Sequence, residues 1–299
     1  MTTERFQGQD LLRVGSRDSY LLLAPAHGGR LVRWVHRGED ILYWPDDADW
    51  TRVAKVRGGN PLLFPFIGRH FVDGEAGRWR DREGVVREMP QHGFARDLAF
   101  AVGEVSEDAV NLVLTASAAT RGSYPFAFTF DVTYRLDDRG LQTALRVTNH
   151  GDTPLPWYAG HHFYFRAAQT SRAASRLTLP AAQRVRQTAD GGLTPPEPGK
   201  AQYALDDPRL QDTFHVLQAR ESECSLVIAR TDGPPRTIRL SLMANSPWHA
   251  ITTWTESATS DFYCVEPWTG LPNAIGHGQG LRWLPPGQSA EARCALAVS

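Results

Sequence analysis

Apolar residues along this chain recur at the spacing of β-strands rather than of helices. Short segments alternate apolar and polar side chains or run apolar, and they are rich in β-branched and aromatic residues. The sequence Asp137-Asp138-Arg139-Gly140 is typical of a turn and predicts an antiparallel hairpin between the second and third of these segments. The predicted strands are Asn111–Ala116, Phe126–Leu136, Leu141–Thr148, Cys224–Ala229, Thr237–Met243, Ala250–Trp254 and Phe262–Val265.

The pattern gives little support to helices or to a second domain. The chain has 26 glycines and 20 prolines, and no long segment has helical period. Ala167–Arg176 is rich in Ala and Ser but lacks an apolar stripe. Gln187–Lys200 is the most loop-like stretch, and because strand patterns flank it on both sides we interpret it as a surface loop rather than a linker. We therefore expect an all-β protein, one large antiparallel sandwich domain over residues 1–299.

Composition removes several classes of function. The chain has 32 basic and 33 acidic residues, which argues against electrostatic capture of nucleic acid or of an anionic membrane. No apolar run approaches the ~20 residues of a membrane span, and the N-terminus lacks the layout of a signal peptide. Cys224, Cys264 and Cys294 have no CxxC spacing, so neither a disulfide framework nor a zinc site is indicated. We expect a cytoplasmic protein.

Lysine chemistry is also not indicated. Lys55 and Lys200 are the only lysines, and both lie in polar or proline-rich stretches. A Schiff base needs a lysine whose pKa is lowered in an apolar pocket. Neither residue is a convincing candidate.

Two loop-like stretches combine glycine with arginine. Gly58–Arg69 is too apolar and proline-rich for a phosphate-binding loop, and its structural interpretation is a buried irregular segment that ends in one exposed arginine. Gln91–Arg96 holds His92 and Arg96 around a glycine, which suits two donors for a polar ligand. A lone histidine is nevertheless more often structural.

A pair of histidines lies in the stretch Trp157–Phe165. On a strand, His161 shares a face with apolar neighbours, whereas His162 shares the other face with Tyr158 and Tyr164. We therefore expect His161 to be structural and His162 to face a small-molecule cleft. No HxH or HExxH spacing is present, so a metal site is not predicted.

A carboxylate follows the last predicted strand, within Asp261–Gly270. Glu266 lies at the end of an apolar run, where burial is costly unless the carboxylate has partners. Such a group is either structurally paired or a tuned acid–base residue. With no G-x-S-x-G elbow and no dinucleotide fingerprint, these stretches suggest acid–base work on a neutral, ring-shaped polar substrate.

Taken in order, these stretches resemble the aldose 1-epimerase (galactose mutarotase) family, most closely its bacterial branch. The resemblance runs from about residue 15 to the C-terminus. It rests on the ordered set rather than on any single motif. Its members are PAHGGRL (25–31), GGNPLLFPFIGR (58–69), QHGFAR (91–96), YPFAFTFDVTYRL (124–136), GHHFYF (160–165), LDDPRLQDTF (205–214), DFYCVEPWTG (261–270) and LPPGQS (284–289).

The resemblance implies a large antiparallel β-sandwich with a sugar cleft, and it implies roles for the candidate residues. His162 matches the general acid of the family and Glu266 its general base, while His92 is similar to a second cleft histidine that binds sugar hydroxyls. Phe163 departs from the Pro or Ser that many relatives have after the histidine. We expect an anionic Glu266 to help keep His162 protonated near neutrality.

Three further residues match binding positions of the family. Asp212 resembles its sugar-binding aspartate, although Asp206 and Asp207 lie close by in the sequence. Arg69 and Arg96 match arginines that line the cleft in this branch. Any of four tryptophans could offer a stacking face to the sugar: Trp157, Trp248, Trp254 or Trp268.

The activity implied is interconversion of the anomers of an aldohexose, an isomerase reaction that needs neither metal nor cofactor. Two alternatives remain open. Arg69 and Arg96 would also suit a hexose 6-phosphate, because arginine forks bind phosphate dianions. The same cleft would serve a carbohydrate-binding protein without turnover. The sequence leaves open which sugar is preferred and whether the chain is a monomer or a homodimer.

Overall fold

The computed structural model describes residues 2–219 and 222–299, and its regular secondary structure is mostly β-strand. The helices are short: α1 (Ala118–Arg121), α2 (Ala274–His277) and the 3₁₀ turns Trp50–Lys55, Ala95–Asp97, Gln169–Ser171 and Pro208–Leu210. The first strands are β1 (Thr2–Phe6), β2 (Gln9–Gly15), β3 (Tyr20–Ala24), β4 (Arg30–His36), β5 (Glu39–Asp40), β6 (Leu62–Leu63), β7 (Phe71–Val72), β8 (Glu75–Ala76), β9 (Arg78–Arg80), β10 (Val86–Glu88), β11 (Ala101–Val105), β12 (Ala109–Thr115), β13 (Phe128–Asp137) and β14 (Gly140–Asn149). They are followed by β15 (Leu155–Trp157), β16 (Gly160–His161), β17 (Tyr164–Arg166), β18 (Arg176–Thr178), β19 (Ala182–Val185), β20 (Glu197–Pro198), β21 (Gln202–Ala204), β22 (Thr213–Leu217), β23 (Ser222–Ile228), β24 (Arg236–Leu242), β25 (Ala250–Trp254), β26 (Phe262–Trp268), β27 (Arg282–Leu284) and β28 (Ser289–Val298).

Two large antiparallel sheets form the sandwich. The nine-stranded sheet has the order β11-β12-β13-β14-β28-β24-β23-β18-β21, and the eight-stranded sheet runs β20-β19-β22-β25-β26-β16-β6, with β17 also on β26. Strands β1 to β5 form a third sheet as a meander. The predicted fold class, an all-β antiparallel sandwich, is confirmed.

The main core lies between the two large sheets. Along β13, every second side chain is buried, as expected for a strand with one covered face. Phe130 on β13 stacks on Phe64, which follows β6 in the opposite sheet, with ring centroids 4.3 Å apart. This packing fixes the eight-stranded sheet, whose other face carries the site described below.

The predicted strands are all present, with ends shifted by no more than a few residues. The hairpin is confirmed, since Asp137 Oδ1 accepts the N–H groups of Arg139 and Gly140 in the turn between β13 and β14. The predicted end of the last strand, at Val265, was wrong: β26 continues to Trp268, past Glu266 and Pro267. Proline removes one donor but keeps its carbonyl, and β25 pairs with β26 as far as Trp268.

Gln187–Lys200 is more ordered than the predicted surface loop. Glu197–Pro198 pairs with β19, and Gln187 forms an isolated bridge with Leu193. The Gln187 side chain donates to the carbonyl of Arg69 at 3.0 Å, which ties this segment to the region of the site. Among the described residues, no helix is long and apolar enough to cross a membrane.

Candidate active site

Strand β26 carries a carboxylate into the protein because both of its faces are covered. Val265 points into the core between the sheets, whereas Glu266 lies on the opposite face and is 1% exposed. Glu266 pairs directly with Thr252 on β25, and Thr252 pairs with Phe214 on β22. These three side chains form a row across the sheet, and all three line one cleft.

The cleft has a volume of about 230 Å³. The structure brings together in its walls all six residues that the sequence analysis assigned to catalysis or binding. They are Arg69, His92, Arg96, His162, Asp212 and Glu266.

The two adjacent histidines face opposite sides, as the strand alternation predicts. His161 lies between the sheets, where its Nδ1 accepts from Asn60 Nδ2 at 2.9 Å and its Nε2 lies 3.2 Å from Thr143 Oγ1. His162 lines the cleft, and its backbone N–H donates to Asn60 Oδ1 at 2.8 Å. Asn60 therefore holds both histidines, one through its side chain and the other through its backbone.

His162 and Glu266 form a close pair. His162 Nδ1 lies 3.5 Å from Glu266 Oε2, and within the part of the chain that the structure describes neither atom has a hydrogen-bond partner. The His162 ring stacks on Tyr164 with centroids 4.6 Å apart, which fixes its plane. A polar ligand in the cleft would meet two buried groups with unused hydrogen-bonding capacity.

Burial shifts both pKa values of this pair toward the neutral forms. The pKa of His162 lies well below its usual value because the ring is buried and because Arg96, Arg30 and Arg57 are near it. The pKa of Glu266 lies well above its usual value, through burial and the charge of Asp212. The sequence predicted a charged His162 beside a carboxylate; the structure instead favours neutral imidazole beside carboxylic acid, because both groups are buried and because three arginines act on the ring.

The second cleft histidine lies in a strained loop. His92 has φ +68°, an uncommon conformation for a residue other than glycine, and Gly93 follows at φ +74°. A Cβ on Gly93 would lie 2.0 Å from the carbonyl oxygen of Phe64, so only glycine fits. His92 Nδ1 accepts from the Gly68 N–H at 3.2 Å, and burial lowers the pKa of His92. Because Nδ1 accepts this N–H, a neutral ring carries its proton on Nε2, the nitrogen that lies 3.4 Å from the Gln91 side-chain amide.

Cationic side chains surround the mouth of the cleft. Arg69 is the one exposed residue of the buried Gly58–Arg69 segment, as its structural interpretation predicted, and Arg96 donates to the carbonyl of Gln91 at 2.6 Å. Lys55 and Arg57 also line the cleft, and sequence reasoning missed both as binding residues. The signal available for Arg57 was its place directly before the Gly58–Arg69 segment.

Among three neighbouring aspartates, only Asp212 lines the cleft. Asp207 caps the turn Pro208–Leu210 and pairs with Arg209, which gives it a structural task. Asp212 has φ +47°, so it shares with His92 a left-handed backbone at the cleft wall. The geometry thus favours Asp212 over Asp206 and Asp207.

Two of the four candidate tryptophans line the cleft. Trp254 and Trp268 contribute to its wall. Trp157 and Trp248 lie in the main core, where the Trp248 indole donates to the carbonyl of Arg293. Thr252 and Gln187 are further lining residues for which the sequence offered no signal.

One cluster has the residue types of a metal site. Ligand atoms of His162, Cys264 and Glu266 lie within 4.8 Å of one another, and all three residues are buried. Cys264 packs with Tyr164 and Phe262, however, and burial raises the pKa of its thiol well above the usual value. A thiolate ligand is therefore disfavoured there. That the protein needs no metal remains a prediction.

The sequence matches a known protein family over almost its whole length. Residues 10–297 match the family model described as aldose 1-epimerase. The chain is 24% identical over 278 residues to the protein LacX (chromosomal) of Lactococcus lactis, covering 86% of this chain and 87% of LacX. It is also 24% identical to a protein of Escherichia coli named “Putative glucose-6-phosphate 1-epimerase”, over 49% of this chain and 45% of that protein.

A solved structure has a similar fold over almost the full length of this chain. The galactose mutarotase-like protein of Lactobacillus casei superposes with a TM-score of 0.77 at 24% identity, covering 97% of this chain and all (100%) of that chain. At this identity the likeness concerns the fold.

Proposed function

The chain belongs to the aldose 1-epimerase family, and from that premise we propose that it interconverts the α and β anomers of an aldohexose. Ring opening at the anomeric carbon yields the free aldehyde, and reclosure gives either configuration. Glu266 takes the proton of the anomeric hydroxyl while His162 delivers one to the ring oxygen, and the roles exchange on closure. The sugar hydroxyls are bound by His92, Arg69, Arg96 and Asp212.

The observation that carries this proposal is the buried, unpartnered pair in the cleft wall. His162 and Glu266 lie 3.5 Å apart, and their facing atoms have no other partner in the described chain. A buried polar atom without a hydrogen bond costs roughly 1–3 kcal/mol. Such a cost is tolerated where the substrate supplies the missing partners, and a protein that only binds sugars does not need a matched acid and base.

The pKa directions fit this cycle. Neutral His162 beside protonated Glu266 contains as many protons as the imidazolium beside the carboxylate, so the two forms differ only in where one proton lies. Ring opening converts the charged form into the neutral form, and ring closure reverses the change. Hydroxyl groups of a bound cyclic sugar stabilise the charged form by supplying hydrogen bonds that the empty cleft lacks.

The test is polarimetry of freshly dissolved α-D-glucose and α-D-galactose. The protein should accelerate the approach to equilibrium rotation, and His162→Asn and Glu266→Gln should each reduce kcat by roughly 10²–10⁴-fold, the usual contribution of one positioned acid or base. His150→Asn and Glu291→Gln make the same exchanges away from the cleft and should retain full activity.

Two outcomes would overturn the proposal. Full activity in both cleft variants would remove the acid–base pair from the mechanism. If the protein binds sugar without accelerating anomer exchange, and Glu266→Gln leaves the sugar affinity unchanged, the chain is a carbohydrate-binding protein.

The cationic cleft favours a hexose 6-phosphate as the second candidate substrate. Lys55, Arg57, Arg69 and Arg96 line a cleft whose acidic side chains are Asp212 and Glu266. A phosphate dianion would be neutralised by such a set, and arginine forks suit its oxygens. The E. coli relative carries a name that refers to such a substrate, although the match covers less than half of that protein.

The two substrates are separated by NMR exchange between the anomers of glucose and of glucose 6-phosphate. If the phosphate is the substrate, its KM rises with ionic strength, and Arg69→Ala and Arg96→Ala raise it far more than they raise the KM of the free sugar. Equal KM values for the two sugars and no dependence on salt would favour the free aldose.

A further inference from the structure

Trp268 and Glu266 lie two residues apart on β26 and therefore share the face of the strand that forms the cleft wall. Trp268 is 3% exposed, and its indole Nε1 makes no hydrogen bond with any residue that the structure describes. Glu266 Oε2, in the same wall, likewise has no partner there. A buried donor without an acceptor thus lies beside a buried acceptor without a donor.

The Trp268 ring is held in place from three sides. It packs against Phe214 with centroids 5.5 Å apart and meets the edge of His92 at 6.0 Å. On the third side lies Gly160, where a Cβ would come within 2.7 Å of Trp268 Cδ1. The absence of a side chain at Gly160, two residues before His162, therefore makes room for this ring.

We propose that Trp268 is a positioning residue for Glu266, whose carboxylate accepts the indole N–H in the charged form of the acid–base pair. This inference rests on the proposed function and extends it to a residue outside the assigned acid, base and binding groups. It also gives the tryptophan a task other than stacking on the sugar. The donor matters most in the half of the catalytic cycle in which Glu266 is a carboxylate.

The electrostatics agree with this geometry. Burial and the charge of Asp212 raise the pKa of Glu266, and the Trp268 indole acts against them by favouring the carboxylate. A hydrogen bond to an ionised group is stronger than one between neutral groups. The contact therefore stabilises Glu266 as the base more than as the acid.

The first test is Trp268→Phe, which keeps an aromatic ring and removes the N–H. We expect kcat to fall about tenfold with KM changed by less than about twofold, and the alkaline limb of the pH profile to move up by about one unit, the size of one charge-assisted hydrogen bond. An unchanged kcat and an unchanged alkaline limb would overturn the proposal.

Two further variants separate positioning from general damage. Gly160→Ala keeps the indole N–H but displaces the ring, and it should move the alkaline limb in the same direction. Trp248→Phe removes a buried indole hydrogen bond to Arg293 outside the cleft, so it should lower stability and leave the limb in place. A shift of the limb in Trp248→Phe as large as in Trp268→Phe would contradict the proposal.

An NMR titration of the indole protons tests the hydrogen bond between Trp268 and Glu266 without any need for turnover. The Trp268 Nε1–H resonance of the wild-type protein should move as Glu266 ionises, and it should lose this response in Glu266→Gln. An indole resonance that is indifferent to the ionisation of Glu266 would overturn the inference. Because this measurement needs no sugar, it distinguishes failure of the contact from failure of the epimerase assignment.

Discussion

The Asn60 side chain accepts the backbone N–H of His162 at 2.8 Å and, through its amide nitrogen, donates to His161 Nδ1 at 2.9 Å. The same amide nitrogen lies 2.9 Å from the hydroxyl of Tyr134 on β13. Strand pairing is interrupted at His162, between β16 and β17, so the sheet ladder does not fix this backbone. The Asn60 side chain thus holds the backbone of His162 at a point where no neighbouring strand does.

Removal of this side chain should damage both stability and turnover. Asn60→Ala leaves the His162 N–H and His161 Nδ1 buried without partners, which costs roughly 1–3 kcal/mol for each group. We expect a loss of about 2–6 kcal/mol in the free energy of unfolding and a fall in kcat of at least tenfold, measured by urea titration and polarimetry. Asn111→Ala, which removes a hydrogen bond to Thr133 on the other sheet, is the matched control. Wild-type kcat in Asn60→Ala would show that the His162 backbone is held without Asn60.

The pH profile should reflect a pair that is active with one transferable proton. A second proton goes to His162, whose pKa is lowered by burial and nearby arginines, so the acid limb should lie below pH 6.5. Loss of the proton comes from Glu266, whose pKa is raised by burial and Asp212, so the alkaline limb lies well above pH 4.5. The limbs belong to the coupled pair rather than to single residues.

The assignment of the acid limb can be checked directly. Imidazole ¹⁵N shifts should show His162 still neutral at pH 6.5. Arg96→Gln removes one of the charges that lower the pKa of His162 and should move the acid limb upward. A His162 that is protonated at neutral pH in the free protein would contradict this prediction.

Arg30 on β4 supports the segment that brings two cations to the cleft. It is 2% exposed, and its guanidinium donates to the carbonyls of Gly58, Val53 and Val56. Lys55 and Arg57 lie within this segment. Arg30→Met leaves three buried carbonyls without donors and should cost roughly 3 kcal/mol or more in the free energy of unfolding.

The control for Arg30 lies on the same strand. Arg33 pairs with Asp40 near the surface, and such pairs contribute about 0–1 kcal/mol. Arg33→Met should therefore change the free energy of unfolding far less in the same urea titration. Equal losses in the two variants would mean that the carbonyls around Arg30 find water when the arginine is removed.

The sequence predicted the strands whose side chains alternate between apolar and polar. It missed strands and strand ends that form because neighbouring strands pair with them. Strand β28 is rich in alanine, which has low β-propensity, yet it lies between β14 and β24 in the centre of the nine-stranded sheet. Glu266 was expected at a strand end because Pro267 follows, but two flanking strands extend β26 beyond it. Neighbours supplied by distant parts of the chain cannot be recognised from a local pattern.

The sequence predicted those residues of the candidate site whose side chains are typical of acid–base catalysis or sugar binding. His162 could be separated from His161 by alternation alone, and residue types in short motifs singled out His92, Arg96 and Glu266. The family resemblance added Asp212 and a binding role for Arg69, and the structure brings all six residues together in the cleft. Lys55, Arg57 and Thr252 could not be found, because their presence in the cleft depends on how loops and strands meet. The charge state of the pair was also beyond the sequence, since it depends on burial and on three arginines from separate segments.

Buried histidines should make this fold sensitive to acid. Burial lowers the pKa of His70, of His161 and of His215 to about 3, so each stays neutral in the folded protein where the unfolded chain binds a proton. Their contribution to stability is complete above pH 6.5 and is lost as the pH falls toward 3, at about 1.4 kcal/mol per pH unit for each histidine. Urea titrations between pH 6.5 and 4.5 should therefore show the free energy of unfolding falling by about 4 kcal/mol per pH unit from these three groups. His161→Gln should reduce the measured slope by about 1.4 kcal/mol per pH unit, whatever it does to stability at neutral pH. An identical slope in His161→Gln and the wild type would mean that His161 binds its proton equally well in the folded and unfolded states.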